Sequence, residues 1–252
     1  VQQDWSAVKV VRPEGRGPFV LVCEHAAREI PEEFAGLGLS AEARDSHAAW
    51  DIGAMDVAVA LSDLLDAPLV AGGVSRLVYD LNRPLDAVSA IPEKSEIHEV
   101  PGNRGLDAAA RQDRFDRVHE PFHDALSGVL DARTGSVSLV TVHSFTPVYN
   151  GVRRAVELGF LHHDDARLAR ACLAREQAAG PYRAALNDPY GKADGVTYTL
   201  ARHGEARGLA PLMIEIRNDL IATTDTAQAM AAHLAGTLTA AQAALDTAEA
   251  AR

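Results

Sequence analysis

Hydrophobic and polar positions fall in blocks along the chain, and the blocks predict its elements. The first apolar run is Pro18–Cys23. Gly15 and Gly17 bound it on one side and the polar pair Glu24-His25 on the other, the pattern of a buried strand. Ser40 is a fitting N-cap. Ala49, Ile52, Val57, Leu61 and Leu64 recur at helical spacing after it, which predicts one helix over residues 41–65. Leu69-Val-Ala-Gly72 predicts a short strand, and Leu77–Leu81 a further extended piece ending at Asn82-Arg83-Pro84. Residues 86–105 hold Pro92, Pro101, Gly102 and Gly105 and read as a long loop. Loops of that length in compact domains are often lids or binding loops.

A second helix is predicted from Leu106 to Arg133. Residues 136–142 alternate and then run apolar, the clearest strand of the chain, ending in His143-Ser-Phe-Thr-Pro147. Strands are expected at 157–161 and 212–216. Helices are expected at 164–179 and 225–250, the last capped near Thr223 or Thr224, and residues 187–208 are rich in turns. No repeat, linker or composition break divides the chain. Strands alternating with helices predict one α/β domain over residues 1–252, with a central mixed or largely parallel sheet flanked by helices.

Composition changes this picture little. The chain has 252 residues, 47% of them hydrophobic, which is enough for a sizeable core, and the 5% of aromatics favours helices over an all-β sandwich. The formal net charge of −11 repels nucleic acid and anionic membranes, so neither is expected as a partner. A small molecule is, since an acidic protein can still hold an anion in a local basic pocket. Cys23 and Cys172 read as small buried hydrophobes. No leader and no spanning run of about 20 apolar residues is visible, so the default expectation is cytoplasmic. The oligomeric state is not legible.

Sites on such sheets gather at the carboxyl ends of strands. Three strands here deliver titratable groups to that edge: Glu24-His25, His143-Ser144, and Glu215 followed by Arg217-Asn-Asp219. Two imidazoles and a carboxylate make an open zinc site, where the ion polarises a carbonyl and lowers the pKa of water to about 7. His25 and His143 are the imidazoles. His47 and Asp51, four apart on the predicted helix, are the candidates for the third ligand. Arg76, Asn82 and Arg83 suggest a pocket for a carboxylate, which guanidinium meets in bidentate fashion.

A rival metal site is His119-Glu-Pro-Phe-His123, which matches the His-Glu-x-x-His zinc-protease pattern. That pattern needs both histidines on one face of a regular helix, and Pro121 removes a helical hydrogen bond between them. His162-His163-Asp164-Asp165 reads as a strand end and helix N-cap.

Taken together, Val22-Cys-Glu-His-Ala26 with Ile30-Pro31, His47-Ala-Ala-Trp-Asp-Ile-Gly53, Ser75–Pro84, Val142-His-Ser-Phe-Thr-Pro147 and Ile214–Leu220 resemble the N-formylglutamate amidohydrolase family, over residues 18–240. Glu24-His25-Ala26 marks a divergent branch, since better-studied members carry Pro-His-Ser-Gly. The resemblance implies a fold shared with zinc carboxypeptidases and aspartoacylases, a zinc-exopeptidase-like (phosphorylase/hydrolase-like) fold. It implies that His25 and His143 are zinc ligands, Glu215 the general base and Asn82-Arg83 a carboxylate-binding pair, with Arg76 beside them. Carboxypeptidases place a glutamate three residues after the first histidine. Arg28 stands there in this chain, so the third ligand comes from elsewhere, Asp51 being preferred over His47. The implied reaction is hydrolysis of a linear amide in an N-acyl amino acid, N-formyl-L-glutamate to formate and glutamate, as in histidine degradation. The alternatives are another N-acyl amino acid or short peptide, a zinc protease using His119 and His123, or a non-catalytic binding protein.

Overall fold

The computed structural model describes residues 4–251. A seven-stranded sheet runs through its centre. In chain order the strands are β1 (Val8–Val11), β2 (Phe19–Cys23), β3 (Leu69–Gly72), β4 (Ser138–Phe145), β5 (Leu158–Leu161), β6 (Ala184–Leu186) and β7 (Ala210–Arg217). Their order in space is β1-β3-β2-β4-β7-β5-β6. The middle four, β3, β2, β4 and β7, are parallel, while β1 at one edge and the β5–β6 pair at the other run against them. The mixed α/β sheet expected from the pattern is therefore present. β1 and β6 were not expected. Four and three residues are too short for a period to show, and neither strand is fully buried.

The main helices are α1 (Ala54–Leu64), α2 (Ala108–Arg114), α3 (Glu120–Asp131), α4 (Arg167–Ala179) and α5 (Thr224–Ala250). Side chains alternate between the faces of a strand. Leu21, Val140, Val142, Leu212 and Ile214 point to one face, where they pack with α1, α4 and α5. Val20, Val22 and Leu139 point to the other, against Val118, Phe122 and Leu126. Alanine favours helix in α5, and Thr223 caps it by accepting from the Thr226 amide at 3.3 Å. No helix among the described residues is long and apolar enough to cross a membrane.

Several expectations are corrected. The single helix over 41–65 is two pieces. A turn at Ala41–Asp45, capped by Ser40, ends at Ser46 in extended backbone, and α1 starts only after Gly53 at φ +79°. His47 and Asp51 therefore lie in a connecting turn, not four apart on one helix face. Leu77–Leu81 is buried but makes turns rather than a strand. The loop over 86–105 contains a small hairpin, Lys94–Ser95 with His98–Glu99. The helix over 106–133 changes pitch at a π-helical turn, Phe115–His119, before α3. Widening there re-spaces the ladder around Pro121, which has no N–H to give it. β4 extends to Phe145, so His143 lies within the strand and not after it.

Gly53 is required where it stands. A Cβ on it would come within 2.4 Å of the Ile221 carbonyl oxygen, and its φ is left-handed. Gly53→Ala should destabilise the fold by about 2–3 kcal/mol, a loss readable as a lower midpoint in urea.

Candidate active site

Register brings the strand-end groups together. Val22 pairs with Thr141 across β2 and β4, so Glu24 follows at the level of His143. Glu215 is the partner of His143 across β4 and β7. Glu24, His143 and Glu215 are all buried. The turn before Gly53 adds Asp51, whose amide donates to the His25 carbonyl at 2.9 Å.

Asp51 Oδ2 lies 2.9 Å from His143 Nδ1 and 3.4 Å from His25 Nδ1, and it accepts from the Ser144 amide at 3.3 Å. Ligand atoms of His25, Asp51 and His143 lie within 4.8 Å of one another, so these three buried residues can hold a metal ion. The outer nitrogen of each imidazole meets another buried acid. His25 Nε2 donates to Asp80 Oδ1 at 2.8 Å. His143 Nε2 lies 3.1 Å from Glu24 Oε2, an ion pair off the line of a hydrogen bond. Acids on the outer nitrogens favour the Nε2–H tautomer and leave both Nδ1 atoms to a cation at Asp51, the arrangement that orients histidine ligands in metal sites. The donor set thus fits a divalent ion.

Protons and Arg76 balance these buried charges. Burial opposes ionisation of Glu24, Asp51 and Asp80. His143, His25 and Arg76, respectively, outweigh it and hold the three carboxyls below the ordinary range. Burial also opposes charge on His143, but Glu24 and Asp51 overcome it and keep the imidazolium well above the usual histidine value. Glu215 differs. One of its oxygens, Oε2, has no hydrogen-bond partner, and burial pushes its carboxyl up to about 7 against the pull of His143. His47 is driven down to about 4 by burial.

A cleft of about 320 Å³ opens over these groups. His25, Asp51, Arg76, Asn82, Arg83, His143 and Glu215, all expected from the sequence, line it together, as does His47. Arg76 donates to Asp80 Oδ2 at 2.7 Å and Asp51 Oδ1 at 3.4 Å. Asn82 bridges to the 187–208 segment, its Nδ2 donating to the Val196 carbonyl and its Oδ1 accepting from the Thr199 amide at 3.0 Å. Arg83 donates to Ser89 Oγ at 3.1 Å and to the carbonyls of Asn82 and Gly195.

Glu24 was expected at the strand edge but without a role, and Asp80 and Tyr190 were not expected as site residues. The signal for Asp80 was present: a single acid in the apolar run Leu77–Leu81 must be buried with a partner. Tyr190 lay among turns and gave no signal. Arg28, at the position where carboxypeptidases carry a ligand, pairs with Asp45 at the surface.

The His119-to-His123 pattern forms a separate cluster. The two rings do share a face, 4.1 Å between centroids, contrary to the expected effect of Pro121. Both nitrogens of His123 are occupied, however: Nε2 donates to the Leu81 carbonyl at 2.9 Å, and Nδ1 accepts from His203 Nε2 at 2.7 Å. Burial depresses His119 to about 3 and His123 to about 2. Asp164 does not cap α4 either. Ala166 is the N-cap, and Asp165 accepts from the Arg167 amide at 3.0 Å.

A family model, N-formylglutamate amidohydrolase, matches residues 17–222. The chain belongs to the N-formylglutamate amidohydrolase family. It is an amidohydrolase, a hydrolase of linear amides acting on N-acyl amino acids. No protein with a curated function matches this amidohydrolase by sequence. A gene product from Agrobacterium tumefaciens of solved structure is 47% identical to it, with a TM-score of 0.93 and 96% of each chain covered. The N-formylglutamate amidohydrolase from Ralstonia eutropha is 22% identical, TM-score 0.72, over 94% of this chain and 97% of that one, which shows the shared fold.

The raised Glu215 pKa has a measurable cost. Below its ordinary value of 4.5 the group is protonated in the folded and unfolded amidohydrolase alike; above about 7 it is ionised in both, and the fold bears the full cost of the buried charge. Glu215→Gln should therefore stabilise the metal-free protein by ~1–3 kcal/mol at pH 8 and not at pH 4.5, as read from urea unfolding at the two pH values.

Proposed function

We propose that this amidohydrolase cleaves N-formyl-L-glutamate, or a close N-acyl amino acid, with a divalent ion, zinc by preference, held by His25, Asp51 and His143. The observation that carries the reading is the meeting of two buried imidazole Nδ1 atoms at one Asp51 oxygen, with the unpartnered Glu215 in register beside them. Two imidazoles and one carboxylate are a common donor set for zinc, with a position left open. A cleft of about 320 Å³ is at the small end of ligand pockets and suits one acyl amino acid rather than a protein strand.

When bound by His25, Asp51 and His143, the ion would supply Lewis acidity that polarises the amide carbonyl and acidifies water. Glu215, with a carboxyl near 7, accepts the proton from the attacking water and returns it to the leaving amine nitrogen. Arg76, fixed on Asp51 and Asp80, stands where its charge steadies the oxyanion that develops on the carbonyl. Arg83 has no carboxylate partner of its own; with Asn82 it receives a carboxylate of the substrate. Glu24 and Asp80 are positioning residues that hold the outer nitrogens of the two histidines.

Metal analysis separates these roles. His25→Ala and His143→Ala are expected to lose bound zinc, while His119→Ala keeps it; zinc lost from His119→Ala alone would move the metal site to the other cluster. Glu24→Gln should weaken zinc binding about 10- to 100-fold in a chelator titration. Glu215→Gln should keep its metal yet lose ~10²–10⁴-fold in kcat on N-formylglutamate, and a loss under tenfold would exclude it as general base.

A further inference from the structure

Three arginines reach this cleft or its walls, and they differ in what they already hold. Arg76 carries two carboxylates, Asp51 and Asp80. Arg83 donates through Nε and both terminal nitrogens to a hydroxyl and three carbonyls. Arg154, which the sequence did not single out, holds much less. Nη1 donates to the Thr146 carbonyl at 3.3 Å and Nη2 to the Tyr190 hydroxyl at 2.8 Å. A guanidinium has five N–H donors, so most of this one remains open. Arg154 has no carboxylate partner among the described residues.

The setting is that of a prepared anion site. Arg154 is half-buried, with its Cζ 4.6 Å from the Tyr149 ring centroid, 4.9 Å from that of Tyr190 and 5.4 Å from that of Phe145. Stacked rings fix the plane of a guanidinium and leave its edge free for a forked acceptor. Tyr149 and Tyr190 both line the cleft. The charge of Arg154 is felt there, since it disfavours protonation of His47, another lining residue. Its anchor is a hairpin, Val148–Tyr149 with Val152–Arg153, whose Val148 and Val152 are exposed.

We infer that Arg154, framed by Tyr149 and Tyr190, is a second carboxylate subsite of the cleft, which selects acyl amino acids bearing an acidic side chain. The inference deepens the proposed function and rests on it for the reaction. Arg83 lines the cleft and Arg154 stands against its Tyr149 and Tyr190 wall, two arginines without an acid of their own on different segments. A dicarboxylate supplies one acid to each. A purely structural Arg154 would hold the hairpin through its ring contacts and show no preference among ligands.

The test uses the full zinc-loaded protein. Calorimetric titration compares glutarate, a dicarboxylate, with butyrate. Wild type should bind glutarate at least ~10-fold more tightly, and Arg154→Met should abolish the difference. Arg154→Lys keeps the charge and should restore part of it. In kinetics, Arg154→Met should lower kcat/KM for N-formylglutamate by ~30-fold or more, chiefly through KM, and change N-formylglutamine less than about 3-fold. Equal losses on the two substrates, or no preference for glutarate in wild type, would overturn the subsite. If wild type turned over neither formyl compound, the proposed reaction would fail, and the calorimetry would still decide for or against Arg154.

Discussion

Two imidazoles and a backbone amide converge on one carboxylate oxygen, Oδ2 of Asp51, inside a buried region that also holds Glu24, Asp80 and Glu215. Water does not dilute the mutual repulsion of acids at such a place, so their charges must be met from within. Arg76 meets part of it from one side and the His143 imidazolium another part. Glu215, with no cation to itself, meets it by keeping its proton to about pH 7. The pull toward a further cation and the readiness of Glu215 to exchange a proton are thus two results of the same crowding.

The sheet makes that crowding reproducible. Three adjacent parallel strands end at one level, and the side-chain period of two sends Glu24, His143 and Glu215 to the same face. A slip of one residue in β4 or β7 would turn the imidazole or the glutamate into the opposite core, among Val142 and Ile214. Glu215 stands between Ile214 and Ile216, and His143 follows Val142, so such a slip is costly. Ser144 adds a local lock: its amide holds Asp51, and its hydroxyl donates to the Ile52 carbonyl at 2.8 Å.

Much of this was legible from residue order. The apolar strands ending in Glu24-His25 and His143-Ser144, and the strand carrying Glu215, were visible because burial on both faces leaves long hydrophobic runs. The residues taken from them, with Asp51, Arg76, Asn82 and Arg83, do line one cleft. The conformation around Asp51 was not legible. Periodicity ran on through residues 46–53 because Ala49 and Ile52 happen to keep the helical spacing, while the break depends on Gly53 meeting Ile221, a contact between distant segments. Arg154 and Tyr190 could not be read either. Each is one polar residue in a turn-rich stretch, and only folding sets them side by side. At His119 and His123 the pattern was plain and its meaning local, since His203, 80 residues on, occupies the nitrogen a metal would need.

Asn82 and Arg83 tie the front of the cleft to residues 194–199 through main-chain atoms, not side chains. Contacts of that kind do not depend on which residues occupy the 194–199 stretch, only on the path its backbone follows. Side chains there can therefore change while the loop keeps its seat, except at Gly195, whose φ is +70°, and at the buried Thr197 and Thr199. Length cannot, because one inserted residue would carry these carbonyls and the Thr199 amide out of register. Val196, the residue of that stretch that lines the cleft, is where an exchange of side chain would reshape the cleft and leave the backbone path as it is.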